Sequence, residues 1–186
     1  KTQLIKDILV SEPDGRLVTI CGWVRTKRDS KNLCFIQVND GSCFATIQLT
    51  FDRENANPNN ENIENTLPNV TTGASIKATG KLIPSPASGQ AVEVALETLE
   101  VLGVSPSDYP LQKKGHTVEF LRENSHLRAR TNMFGAVARM RSEMAFAVHS
   151  FFQEKGFFYF NAPLITCSDC EGAGEMFQVT TLDMAR

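Results

Sequence analysis

The sequence predicts a multi-domain α+β chain. A five-stranded β-barrel occupies residues 1–102, a linker 103–131, and residues 132–186 open a second domain, where a long helix feeds a strand and a loop. Three observations carry that prediction. Five segments in the first hundred residues alternate apolar and polar side chains with the period of two that a half-buried strand requires. Residues 103–110, GVSPSDYP, are proline-bearing and polar, as a boundary between domains is. From Met133 onward, apolar residues recur every three or four positions, which is the spacing of one helix face.

The bulk numbers fit this and exclude several alternatives. With 186 residues, 41% hydrophobic and 22% charged, the chain has an ordinary globular composition and room for one large domain or two small ones. No apolar run approaches the ~20 residues of a membrane span, and the first ten residues lack the apolar core of a secretory signal. Five cysteines, odd in number and irregular in spacing, do not make a disulfide framework. A reducing, cytoplasmic setting is therefore expected. A net charge of −2 argues against a protein that coats DNA or RNA indiscriminately, but it allows a site-specific binder with a local basic patch.

Residues 3–10 read as a short helix, and Pro13-Asp14-Gly15 as a turn. Residues 17–26 form the first strand, with Val18, Ile20 and Val24 on one face. Residues 33–38 form the second, with Cys34, Ile36 and Val38 on one side and Leu33, Phe35 and Gln37 on the other. Asn39-Asp40-Gly41-Ser42 is a hairpin turn. The third strand, 44–51, sets Ala45, Ile47, Leu49 and Phe51 against Phe44, Thr46, Gln48 and Thr50. The aliphatic sets face the core, which places Phe35 and Gln48 on the solvent side. An asparagine-rich connection, 52–74, carries a short helix near 61–67. Residues 75–83 and 92–101 complete the set, the last with a change of phase near Thr98 that marks a bulge. Five strands with an insertion between the third and fourth is the order of an OB-fold.

OB-folds bind single strands by stacking bases on aromatics beside a basic groove. Arg25, Lys27, Arg28 and Lys31 crowd the loop between the first two strands, next to Phe35. On these residues alone, a solvated basic turn beside an exposed phenylalanine is the competing account. The run GWVRTKRDSKNLCFIQVNDGSCFATIQ resembles the anticodon-binding domain of the class IIb aminoacyl-tRNA synthetases, the aspartyl, asparaginyl and lysyl group. In that family a phenylalanine stacks on the central anticodon base, a glutamine on the next strand bonds its edge, and an arginine contributes. The matching positions are Phe35, Gln48 and Arg28.

The linker is dense in cations: Lys113, Lys114, Arg122, Arg128 and Arg130, with His116 and His126. A short helix fits 117–124, and 125–130 resembles the family's connector, whose arginines and histidine reach tRNA backbone or a neighbouring subunit. Asn132 caps a helix running to about residue 155 and stopped by Gly156. Met133, Val137, Met140, Met144, Val148 and Phe151 make its stripe, widened by Ala136, Ala145, Phe146, Ala147 and Phe152. A helix this apolar calls for two partners. A short buried strand follows at 157–160, then Pro163 and a glycine-bearing loop, SDCEGAGEMF. Helix, strand, proline and loop together resemble motif 1 of the class II synthetases, and the loop wording resembles the asparaginyl members.

The resemblance implies a homodimer with Met133, Val137, Met140, Met144 and Pro163 at its interface. It also implies a catalytic domain built on an antiparallel sheet. The implied reaction is ATP-dependent activation of asparagine, assisted by Mg²⁺, followed by transfer to tRNA(Asn), with Glu171 reaching the substrate ammonium. No run matches the family's motifs 2 and 3, so the ATP and Mg²⁺ sites are expected mostly beyond residue 186. The chain by itself is expected to hold no catalytic residue and no activity. An aspartyl enzyme, including a non-discriminating one, and a non-catalytic RNA-binding or dimerisation module are the rival readings. Cys167 and Cys170 have the spacing of half a zinc site, but no second pair accompanies them, so no metal is expected.

Overall fold

The computed structural model describes residues 1–55, 57–87, 89–166, 172, 177 and 179–182. By its internal contacts the chain divides into two compact units, Lys1–Arg139 and Met140–Arg186.

The first unit is built on a closed barrel. Its strands are β1 (Leu17–Asp29), β2 (Leu33–Asn39), β3 (Ile47–Asp52), β4 (Ser75–Pro84) and β5 (Val92–Gly103), in the order β1-β2-β3-β5-β4. All pairings are antiparallel except β3 with β5. Closure follows from the alternation. Val18, Ile20 and Val24, then Cys34, Ile36 and Val38, then Ile47, Leu49 and Phe51 all point into one core, joined by Ile76, Ala78, Leu82, Val92 and Val94. Each of the valine, leucine, isoleucine and phenylalanine side chains among them contributes about 1.5–3 kcal/mol on burial. The bulge near Thr98 is present: Thr79 pairs with Thr98 but Gly80 pairs with Leu96. Gly80 lies so close to the Ala95 carbonyl that a Cβ could not be accommodated.

Two short elements plug the barrel. In α1 (Ile5–Leu9), Ile5 and Ile8 are fully buried. The Ile5 amide donates to Asp40 Oδ2 at 2.8 Å, so the β2–β3 turn acts as the helix's cap. Burial pushes the Asp40 carboxyl up, but bonds from the Ser42 hydroxyl and the Ile5 and Ser42 amides outweigh it, leaving its pKa below the ordinary value. Between β3 and β4, α2 (Asn60–Thr66) and a 3-10 turn (Leu67–Asn69) bring in Ile63, Leu67 and Val70. Arg53, at the end of β3, ties this insertion down through Glu64 and through Asp29 of β1, the latter at 2.9 Å.

Two strand boundaries differ from expectation. β1 runs on to Asp29, because Lys27, Arg28 and Asp29 pair with Ile36, Phe35 and Cys34 after a bulge between Val24 and Thr26. Arg25, Lys27 and Arg28 therefore stand on a strand, not in a loop. β3 starts at Ile47 rather than residue 44. The Asn39 side chain donates to the Cys43 and Ala45 carbonyls at 2.9 and 2.7 Å, occupying acceptors that a longer ladder would have used. Ala45 is accordingly exposed, not inward.

After the barrel, α3 (Val118–Glu123) begins at Thr117, whose hydroxyl accepts from the Phe120 amide at 3.2 Å. A 3-10 turn (Arg128–Arg130) leads into α4 (Asn132–Glu154). Asn132 is the first helical residue, and extended Thr131 precedes it. Gly156, at φ +83°, ends the helix as expected, with the Phe157 amide bonding back to the Phe152 carbonyl.

In the second unit the strand expected at 157–160 is absent. Phe158 and Phe160 are 97% and 86% exposed, and the segment has no ladder partner among the described residues. An apolar extended segment becomes a strand only when a neighbour takes up its backbone groups.

Candidate nucleic-acid interface

Strand register arranges the barrel's outward side chains in two ranks. One crosses β1, β2, β3 and β5 as Arg28, Phe35, Thr50 and Ala95. The other crosses β1, β2 and β3 as Thr26, Gln37 and Gln48, and Glu93 stands next to Gln48 on β5. The Arg28 guanidinium lies 5.9 Å from the Phe35 ring centroid, within the range of a cation–π contact. Phe35 is half-buried and Arg28 exposed, so one face of a flat aromatic is presented beside a positive charge. That combination can stack a nucleobase and meet its phosphate.

Gln48 departs from expectation. It points away from the core, as alternation requires, yet it is only 8% exposed. Its Nε2 donates to Glu93 Oε2 at 3.1 Å, and the same oxygen accepts from Ser85 Oγ at 3.2 Å and Gln90 Nε2 at 3.3 Å. Gln48 is therefore engaged by Glu93 of β5, which Ser85 and Gln90 of the connection between β4 and β5 hold in turn, instead of being left to solvent. Glu93, itself 4% exposed, is the residue that sequence reading missed. Its position between Val92 and Val94 marked it as outward, but nothing in the sequence showed which side chains would gather on it. Beside this cluster, Thr50 Oγ1 is buried without a hydrogen-bond partner.

The basic residues do not form one patch. Arg25 donates to the Arg130 carbonyl and Lys27 to the Leu67 carbonyl at 2.7 Å, so both are spent on holding the chain. Of the four cations expected near Phe35, Arg28 is the one on the ring, and Lys31 lies exposed in the turn. Arg130 of the linker stacks 4.8 Å from Trp23, and Arg139 of α4 stacks 5.0 Å from Phe44. A cavity of about 730 Å³ lies beside the barrel face, lined by Thr26 and Gln37 and by Tyr109, Lys113, Lys114 and Arg130 of the linker.

Met133, Val137, Met140 and Met144 are exposed along α4, as is Pro163 beyond it. His149 packs edge-on against Tyr159. Glu171, Cys167 and Cys170 lie outside the described residues. Among the described residues no helix is long and apolar enough to cross a membrane, and no three His, Cys, Asp or Glu side chains gather to hold a metal.

Residues 18–102 match the family model of the OB-fold nucleic acid binding domain, and residues 117–184 that of the class II tRNA synthetases (D, K and N). Over residues 117–184 the chain is therefore similar to the class II tRNA synthetases. Among that family's members it is similar to the asparagine–tRNA ligases. It is 59% identical over 182 residues to that of Treponema denticola, covering 97% of this chain and 38% of the relative. To that of Cytophaga hutchinsonii it is 56% identical over 183 residues, again 97% of this chain and 38% of the relative. The chain thus spans under two fifths of the length of these relatives. The asparaginyl-tRNA synthetase of Pyrococcus horikoshii superposes with a TM-score of 0.75 at 20% identity, over 89% of this chain and 38% of that one, which shows the shared fold.

Proposed function

We propose that this chain is the anticodon-reading barrel, linker and opening of the catalytic domain of an asparagine–tRNA ligase. In this reading the barrel spans 1–102, the linker 103–131 and the catalytic opening 132–186. The observation that carries it is the rank of Arg28 and Phe35 beside Gln48, on a closed barrel of a chain so similar to curated asparagine–tRNA ligases. Phe35 stacks a base of the tRNA(Asn) anticodon, Arg28 meets the adjoining phosphate, and Gln48 bonds the base edge.

In the whole protein, asparagine attacks the α-phosphate of ATP and the acyl group then passes to the tRNA, with Glu171 pairing with the substrate ammonium. ATP and Mg²⁺ belong to that activity. The described residues gather no metal ligands, so no step through the ion is assigned to them. The exposed stripe Met133, Val137, Met140 and Met144, with Pro163, fits the face of a homodimer, and the protein works in the cytoplasm.

The test is binding of anticodon stem-loops by the whole protein, GUU against GUC. Preference for GUU is the expected result. Equal binding points to a non-discriminating aspartyl enzyme, and no binding of either refutes the reading face.

A further inference from the structure

Gln37 is an outward polar side chain to which no role has been assigned. It stands two residues from Phe35 on the same side of β2, about 7 Å along the strand. It is also the direct register partner of Gln48 on β3, a pairing that sets Cβ atoms about 5 Å apart.

The two amides are held with opposite ends free. Gln48 donates through Nε2 to the Glu93 carboxylate, an acceptor, so the orientation of its amide is set. Its Oε1 takes no hydrogen bond. The buried, unpartnered side-chain atoms among the described residues are Thr50 Oγ1, Asn60 Oδ1 and Ser105 Oγ, so Gln48 Oε1 keeps some open surface. Gln37 is held the other way round: the Thr26 hydroxyl donates to its Oε1 at 3.2 Å, leaving Nε2 as a free donor. Thr26 and Gln37 both line the cavity beside the barrel, whose lining includes neither Phe35 nor Gln48, so the placement of Gln37 beside the base follows from the strand register.

We propose that Gln37 is a second base-reading residue: with Gln48 it presents one donor beside one acceptor to the base stacked on Phe35, and this pair selects uracil over cytosine. The inference rests on the anticodon reading given above. Uracil offers the O4 acceptor beside the N3–H donor. Cytosine offers an amino donor and a bare ring nitrogen at the same two positions. Exchanging one for the other in a fixed pose therefore reverses both contacts together. Gln37 would meet an amino group and Gln48 a lone pair, and both site groups would be left unpaired, a larger penalty than the loss of one bond.

The experiment measures binding of stem-loops carrying GUU and GCU to the whole protein, as wild type, Gln37→Ala, Gln37→Glu and Phe35→Ala. Wild type is expected to favour GUU by at least about fivefold, the low end for a bidentate base contact. Gln37→Ala should weaken GUU by most of that factor and leave GCU nearly unchanged. Gln37→Glu replaces the donor with an acceptor for cytosine's amino group, so its GUU:GCU ratio should fall below that of the alanine variant. The added negative charge repels both loops alike and cancels in the ratio. An unmoved ratio in both Gln37 variants, with Phe35→Ala weakening both loops, overturns the role of Gln37 and leaves the anticodon reading standing. If Phe35→Ala weakens neither loop, the reading itself fails and this inference falls with it.

Discussion

Glu93→Ala probes both the packing and the reading face. One oxygen of Glu93 accepts from Gln48, Ser85 and Gln90 at 3.1, 3.2 and 3.3 Å, and the side chain is almost fully enclosed. A hydrogen bond to a charged group contributes about 1.5–3 kcal/mol, but three donors sharing one oxygen at long range each deliver at or below the low end. That makes about 3–4 kcal/mol of interaction. Removing the carboxylate also relieves the cost of keeping a charge out of water, which is several kcal/mol before compensation. The net expectation is about 1–2 kcal/mol of destabilisation, well inside the range of a single substitution. The assay is urea unfolding followed by the fluorescence of Trp23, the single tryptophan, which stands on β1 of the barrel. With a urea slope of about 1–3 kcal/mol/M, the midpoint should fall by roughly 0.5–1 M. A midpoint that stays put or rises would refute the reasoning. It would mean that desolvation outweighs the three bonds and that the carboxylate is a net burden on the fold.

Phe35→Ala should weaken anticodon stem-loop binding by about 1–3 kcal/mol, the range for losing one base–aromatic stack, with the circular dichroism melt little changed because the ring is half-exposed; equal affinity would refute the platform. Cys34 should resist alkylation in the native protein, since burial, with a smaller push from Asp29, raises its thiol to about 11. Mass mapping after iodoacetamide at about pH 8 should find partly buried Cys21 and Cys43 modified before Cys34; early modification of Cys34 counts against the closed barrel. Asp40 has a folded pKa below its ordinary value of 3.8, so its contribution is present above that value and disappears as the pH falls through the folded one. Asp40→Asn should therefore lower the urea midpoint near neutrality, and the gap from wild type should close in acid below 3.8; a gap that persists there would remove the linkage.

What the sequence discloses and what it hides divide along physical lines. The barrel was legible because its cause is local: a strand buried on one side must alternate, and the inward sets of all five strands are written in the order of residues. The bulge near Thr98 was legible for the same reason, as a break in phase. The length of β1 was not, because Lys27, Arg28 and Asp29 are strand residues through their pairing with β2, and a run of charged side chains carries no pattern of its own. The strand expected at 157–160 failed in the opposite sense. Its composition suits a sheet, but a sheet needs a second edge, and composition cannot supply one.

The reading face shows the same division most sharply at Gln48. Alternation tells which side of the sheet a residue takes, and Gln48 does take the outer side. It says nothing of what lies above that side. Ser85, Gln90 and Glu93 come from 37 to 45 positions further along the chain, and no periodicity links them to β3. Glu93 meets Gln48, and Ser85 and Gln90 meet Glu93, because β5 runs parallel to β3 and carries Glu93 to its flank, a consequence of closing the barrel in the order β3-β5-β4. Topology thus converts a residue expected at the surface into a member of a hydrogen-bonded cluster centred on Glu93. The same closure fixes which end of its amide is free. A stacking platform can be read from one strand, but the hydrogen-bonding sense of the residue beside it is decided only when the distant strand arrives.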